Sequence, residues 1–127
     1  MQLIYTDKAP KPIGAYSQAV KYAGFVFVSG QIAIDPKTNE FVNGTVEEQT
    51  KIVMENIKVI LEEAGLDLSC VIKTTIYLKN INDFPLVNKV YGEYFKEHKP
   101  ARATVEVSNL PKNALVEIEV IAGEKLF

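Results

Sequence analysis

The chain has one cysteine, one histidine, no tryptophan and, among its 14 basic residues, a single arginine. A lone Cys70 excludes an internal disulfide, and its place before Val71-Ile72 reads as a small buried residue rather than an activated thiol. His98 falls among Lys96, Glu97 and Lys99, where it reads as a favourable charge at a helix terminus. One histidine and one cysteine far apart in sequence give no ligand cluster, so no metal is expected. The formal net charge is −2 and the lysines are scattered, which offers phosphate backbones no global attraction and makes nucleic acid an unexpected partner. No apolar run approaches the length of a membrane span, and Met1 to Tyr5 lack the charged-then-apolar pattern of an export signal. The expected compartment is the cytoplasm. At 127 residues, 47% hydrophobic and 24% charged, the chain is expected to form one domain, 1–127, around one core.

The solitary arginine, Arg102, is the most informative residue present. A guanidinium holds a carboxylate through two parallel hydrogen bonds, a task that a flexible lysine ammonium performs poorly. Arg102 to Val107 alternate, which in a strand sends Arg102, Thr104 and Glu106 to one face. Leu115 to Ala122 alternate as well, with Glu117 and Glu119 on one face and Val116, Ile118 and Val120 on the other. The arginine and the acids are therefore expected to share one sheet surface.

The remaining elements follow from periodicity and punctuation. A short strand near Leu3 to Tyr5 leads into Ala9 to Gly14, where two prolines and a glycine favour an extended loop. Gln18 to Tyr22 and Phe25 to Ile34 read as a hairpin around Ala23-Gly24, with Phe25, Phe27, Ser29 and Gln31 sharing a face. Asp35-Pro36-Lys37-Thr38 reads as a tight turn. Thr45-Val46-Glu47-Glu48 has the spacing of a capping box, and the helix it starts ends near Ala64 with Gly65 just beyond. Val71 to Lys79 is a strand with Ile72, Ile76 and Leu78 on one face. Asn82 or Asp83 is expected to cap a second helix that runs to about Glu97 with Phe84, Val87, Val90, Tyr91 and Phe95 inward.

Strands separated by two amphipathic helices make an α+β sandwich with both helices on one face of the sheet. If Val26, Val28, Ile32, Ile72, Ile76, Val105, Val107, Ile118 and Val120 meet the helices, parity puts Phe25, Phe27, Ser29, Tyr77, Arg102, Thr104, Leu115, Glu117 and Ile121 on the bare face. That face is too apolar to stand in water, and a second copy of the chain is the simplest cover.

Ala9-Pro10, Ile13 to Ala19, Val28-Ser29-Gly30-Gln31, Pro100-Ala101-Arg102, Leu110-Pro111 and Glu117-Ile118-Glu119 together resemble the RidA/YjgF family of reactive-intermediate deaminases. The resemblance covers essentially the whole chain. It implies a chorismate-mutase-like fold, a mixed six-stranded sheet with two helices on one face, assembled as a homotrimer around a central barrel. It further implies three sites in clefts between subunits and hydrolysis of 2-imino acids, such as 2-iminobutanoate and 2-iminopropanoate, to 2-oxo acids and ammonia without metal or redox cofactor. Carried over by position, Arg102 clamps the substrate carboxylate and Glu117 positions or deprotonates the attacking water. Tyr16, Ser29 and Asn88 line the pocket, and backbone groups of Gly30 and Thr104 bond the ligand. Thr104 departs from the family, where cysteine is frequent.

Each of these residues has a structural alternative. Arg102 could pair with Glu106 or Glu119, Tyr16 could pack its loop, Ser29 could bond a neighbouring strand, and Asn88 could be an exposed amide. Parity does not distinguish Glu117 from Glu119. The same trimer could also bind a small carboxylate as a sensor, or act through protein interaction, without turnover. The apolar bare face predicts that the chain sediments as an oligomer at micromolar concentration; a monomer in that measurement would contradict it.

Overall fold

The computed structural model describes residues 1–125. Strands β1 (Gln2–Ile4), β2 (Ala19–Tyr22) and β3 (Phe25–Gln31) are followed by a small pair, β4 (Ile34–Asp35) and β5 (Glu40–Phe41). Helix α1 (Val46–Glu63), β6 (Val71–Leu78), α2 (Phe84–Tyr94), β7 (Ala101–Glu106) and β8 (Val116–Gly123) complete the order. The main sheet has six strands in the order β1-β2-β3-β8-β6-β7. All its pairs are antiparallel except β6 with β7, which α2 connects as a parallel crossover.

Local chemistry explains the elements. Thr45 accepts from the Glu48 amide while Glu48 reaches back to the Thr45 amide, so the expected capping box starts α1. Gly65, at φ 82°, supplies the left-handed residue beyond its end. Helix α2 is shorter than its periodicity suggests: it begins after a turn of 3-10 helix at Ile81–Asp83 and ends at Tyr94. Asn80 caps that turn through the Asn82 amide, whereas Asp83 makes no side-chain cap bond. His98 consequently lies beyond the helix and bonds the Val71 carbonyl instead of serving a helix terminus. Cys70 is half-buried in a 3-10 turn beside the Asp67 carboxylate.

One face of the sheet packs against the helices. Val26, Val28, Ile76, Leu78, Val116, Ile118, Val120 and Ala122 meet Val53, Met54, Ile57, Ile60 and Leu61 of α1 and Val87, Tyr91 and the adjacent Phe95. Buried polar groups are paired. Asn56 donates to the Ile34 carbonyl, Gln49 bridges the Gly44 carbonyl and the Leu115 amide, and Gln18 joins the loop before β2 to β1's end. The Gln18 amide oxygen accepts from the Thr6 amide at 2.7 Å, while its nitrogen donates to the Thr6 and Pro10 carbonyls at 3.0 and 2.8 Å.

Two bulges and the parallel pairing correct the parity assignment. Between Val28 and Gln31 the register advances three residues on β3 for two on β8, so Ser29 stays with Phe27 but Gln31 turns inward and is buried. A second shift between Val71 and Lys73 buries Val71 and turns Ile72 out. On β7, Arg102 pairs with Thr74 and Thr104 with Ile76, both on the helix side, while Val105 pairs with Tyr77 on the bare side. Arg102 and Thr104 therefore do not share the surface of Glu117. Val105 is exposed rather than buried against the helices, and Leu115 packs on the core.

Phe25, Phe27, Ile72 and Val105, each between 43 and 46% exposed, leave the bare face apolar, so the ground for an oligomer survives with a different membership. Replacing Gln18 by leucine would leave the buried Thr6 amide and the Pro10 carbonyl without their side-chain partner, a loss of about 3 kcal/mol. The expected readout is a lower unfolding midpoint at fixed chain concentration.

Candidate functional site

The β3 bulge and the strand β8 build one half of the site. Opposite the bulge, Glu119 faces two residues, Ser29 and Gly30, where regular pairing would allow one. The Ser29 hydroxyl donates to the Ser17 carbonyl at 2.6 Å and its amide to the Gln18 carbonyl at 3.0 Å, which anchors the 11–18 loop along β3. In that loop the Tyr16 hydroxyl accepts from the Ile13 amide at 3.3 Å. Gly30 lies against the Glu117 carboxyl: a Cβ there would overlap Glu117 Oε2, so only glycine lets this acid occupy its place. The resulting cleft of about 480 Å3 is lined by Tyr16, Ser29, Gly30, Lys112 and Glu117, with Ile13, Ile32 and Pro111 among its apolar walls.

Within this cleft Glu117 is half-buried. Burial, and secondarily the neighbouring Glu119 carboxylate, hold its carboxyl above the usual glutamate value. Glu119 is tied down by a hydrogen bond from the Tyr77 hydroxyl. Hydrogen-bonding to Glu119, followed by burial, raises the Tyr77 hydroxyl in turn. Arg102 pairs with neither acid of its expected alternatives; the Glu106 carboxylate accepts instead from the Ile81 amide.

The other half lies on the opposite side of the sheet. Arg102 Nη1 donates to Asn88 Oδ1 at 2.7 Å, and its guanidinium sits 5.0 Å from the Phe84 ring centre and 5.2 Å from that of Tyr91. Two aromatic faces favour a cation and restrict its rotation. Tyr91 is itself fixed by a 2.8 Å hydrogen bond with Thr74. Asn88, Tyr91 and Arg102 line a second cleft of about 420 Å3. Arg102 remains exposed, so the aromatic seat presents its remaining donors outward.

The structure thus gathers Tyr16, Ser29, Gly30 and Glu117 in one cleft and Asn88 with Arg102 in another, while Thr104 lines neither. Sequence reasoning missed Phe84 and Tyr91 as the seat of Arg102, because their inward helical spacing accounts for them fully as core residues. It also missed Lys112, held at φ 59° beside Asn113 at φ 57° in the turn that rims the first cleft. The Pro111-Lys112-Asn113 sequence was its available signal. Among the described residues, no group of three His, Cys, Asp or Glu side chains could hold a metal ion, and no helix is long and apolar enough to cross a membrane.

Fold and site define an α+β protein with a half-buried glutamate in an apolar-walled cleft on one face of a mixed sheet and a stacked arginine on the other. The chain belongs to the RidA/YjgF family: the family model described as Endoribonuclease L-PSP matches residues 6–124. A RutC family protein of Pyrococcus abyssi is 62% identical over 121 residues, 95% of either chain. The 2-iminobutanoate/2-iminopropanoate deaminase of Dermatophagoides farinae is 46% identical over 120 residues, 94% of either chain. The crystal structure of E. coli TdcF with bound serine superposes at a TM-score of 0.93 and 40% identity, covering 98% of this chain and 100% of that one.

A raised carboxyl has a sign that stability can read. Between the ordinary glutamate value and the raised one, the folded chain binds more protons than the unfolded chain, so stability falls as pH rises through that window and stays lower above it. Glu117→Gln removes this penalty. The variant is expected to unfold at higher temperature than wild type near neutral pH, with the difference shrinking once pH drops below the ordinary glutamate pKa of about 4.3.

Proposed function

We propose that this chain is a hydrolase of 2-imino acids, taking 2-iminobutanoate and 2-iminopropanoate, the latter formed from 2-aminoacrylate, to 2-oxo acids and ammonia. The observation that carries the reading is the division of the clefts: an acid with hydroxyls on the bare face, and a rigid carboxylate receptor on the other. In one chain these halves cannot meet across the sheet. A homotrimer whose apolar bare faces form a central barrel would bring the Arg102 half of one copy to the Glu117 half of the next, giving three clefts between subunits. The reading takes 1–127 as one domain acting in the cytoplasm on a small-molecule substrate.

The chemistry suits the groups present. Arg102, oriented by Asn88 and its two rings, holds the substrate carboxylate. Tyr16 and Ser29 line the space beside it, and backbone groups of Gly30 and Thr104 are candidates to bond the ligand. A protonated imine is already electrophilic, so the protein's tasks are orientation and proton transfer. Water oxygen bonds to the imine carbon as the C=N π pair moves to nitrogen, and the Glu117 carboxylate takes the water proton. Delivery of that proton to nitrogen, with the Glu117 carboxylate then taking the remaining hydroxyl proton, lets the C–N bond break as the carbonyl forms; the 2-oxo acid is released and the last proton leaves with the ammonia. A glutamate held above its usual value is a stronger base and a readier proton carrier than an ordinary one.

The deaminase name of the D. farinae relative supports turnover, and the serine bound to TdcF supports a cleft for small amino-acid-like carboxylates. That second observation equally suits a trimer that binds a 2-oxo acid without converting it. Release of 2-oxo acid from imines generated in situ, measured against the spontaneous rate, separates the two readings. Charge-assisted bonds contribute roughly 1.5–3 kcal/mol each, so Arg102→Ala is expected to lose at least about a hundredfold in rate. Wild-type turnover in that variant would remove Arg102 from the mechanism, and no acceleration by wild-type oligomer would favour the sensor.

A further inference from the structure

Glu117 is not the only acid on the bare face. Glu119 follows it two residues along β8 on the same side, and Tyr77 stands directly across from Glu117 on β6. Tyr77 nevertheless gives its hydroxyl to Glu119, the diagonal neighbour. Glu119 is therefore immobilised by a phenol, with the bulged Ser29 and Gly30 opposite it on β3. Among the described residues the ion pair present is Lys21 with Glu124, at the far end of the sheet, so no lysine or arginine of the same chain is paired with either acid.

We infer that Tyr77 and Glu119 form a positioning pair for Glu117, with the tethered Glu119 carboxylate keeping Glu117 a strong enough base to accept the water proton. Resting on the deaminase reading above, the pair extends it to two residues outside the cleft lining. Without Tyr77, two carboxylates on adjacent same-face positions would be free to swing apart, and the place of Glu119 relative to Glu117 would be undefined. The phenol removes that ambiguity. Its O–H fixes the place of the Glu119 carboxyl beside Glu117, the acid that Gly30 admits to the cleft. The upward displacement of Glu117 by burial and by Glu119, and of Tyr77 by its bond to Glu119, then by burial and by the two acids' charges, accords with this arrangement.

Other groups facing Glu117 are accounted for. Tyr16 from the 11–18 loop, Ser29 from β3 and Lys112 from the turn before β8 line the same cleft. Lys112 is the cation among them, and it would oppose Glu119 by favouring the carboxylate of Glu117. In the proposed trimer, Arg102 of a second copy would add a cation near Glu117 in wild type and in variants of Glu119 or Tyr77 alike. The balance of these charges around Glu117 is thus open to adjustment by one residue at a time.

The test is the pH profile of kcat/KM for 2-iminobutanoate hydrolysis in wild type, Glu119→Gln and Tyr77→Phe, each first shown to be folded and oligomeric. Titration of the substrate imine is common to all three and drops out of the comparison. With Glu119→Gln the acidic limb is expected to move to lower pH, as for removal of a like charge nearby, with the rate plateau falling alongside. Tyr77→Phe is expected to move the limb the same way by less, because the charge is kept and only its tether lost. A folded Glu119→Gln oligomer whose limb coincides with wild type would overturn the pairing while leaving the deaminase reading intact. Failure of wild type to accelerate hydrolysis would instead remove that reading and this pairing with it. Carboxyl NMR titration of Glu117 in the Glu119→Gln variant then gives an independent reading: a downward shift supports the pair and an unchanged midpoint contradicts it.

Discussion

The register of β6 against its two neighbours governs where chemistry can occur in this protein. Ile76 pairs with Ile118 on one side and Thr104 on the other, and Tyr77 pairs with Glu117 and Val105. Side chains of paired residues leave a sheet on the same face, so these two rungs alone send the glutamate one way and the β7 residues of arginine parity the other. A slip of one residue between β6 and β7 would exchange Arg102 for Ala101 or Ala103 on the helix side and dismantle its aromatic seat. The core residues Thr74, Ile76 and Leu78 oppose such a slip, since it would place Glu106 and Arg102 differently against a packed helix layer. Division of the functional groups between two faces is therefore a consequence of how the core is packed.

That division links stability to function through the bare face. Phe25, Phe27, Ile72 and Val105 are left exposed by a chain whose other face is largely covered by its helices, and the same surface carries half-buried acids. An apolar surface around carboxyls is unfavourable for the isolated chain and useful once covered, because it strengthens electrostatic effects on whatever lies in the cleft. The two bulges serve the same end. One turns Ile72 outward to enlarge the apolar surface, and the other opens β3 so that Ser29 and Gly30 both face the acids. Gly30 shows how local the requirement is, since the space that a methyl group would take is occupied by the Glu117 carboxyl.

Much of this was legible in the amino-acid sequence. Capping at Thr45 and Glu48, termination at Gly65 and the shared face of Glu117 and Glu119 all follow from local rules, and the structure agrees with each. Strict alternation failed where a bulge inserted a residue, at Gln31 and at Ile72, because one strand's pattern carries no record of its partner's register. It failed again on β7. At that edge strand Arg102 and Thr104 face α2 while Val105 faces out, the reverse of what polarity alone suggests, because a guanidinium can stack on aromatic rings while the residue stays exposed. The candidate residues themselves were found from the sequence, but their distribution over two clefts needed three dimensions.

The central claim is that Arg102 and Glu117 act together only when supplied by different copies of the chain. Arg102→Ala and Glu117→Ala are each expected to be inactive, so the decisive measurement is imine hydrolysis after the two purified variants are unfolded together, refolded and shown to form mixed oligomers. A site built across copies regains about a quarter of wild-type turnover in an equal mixture, the chance that a cleft draws its intact arginine from one parent and its intact glutamate from the other. If both residues of a site came from one chain, every cleft would keep a defect, and mixed oligomers with no activity above that of either parent would contradict the account.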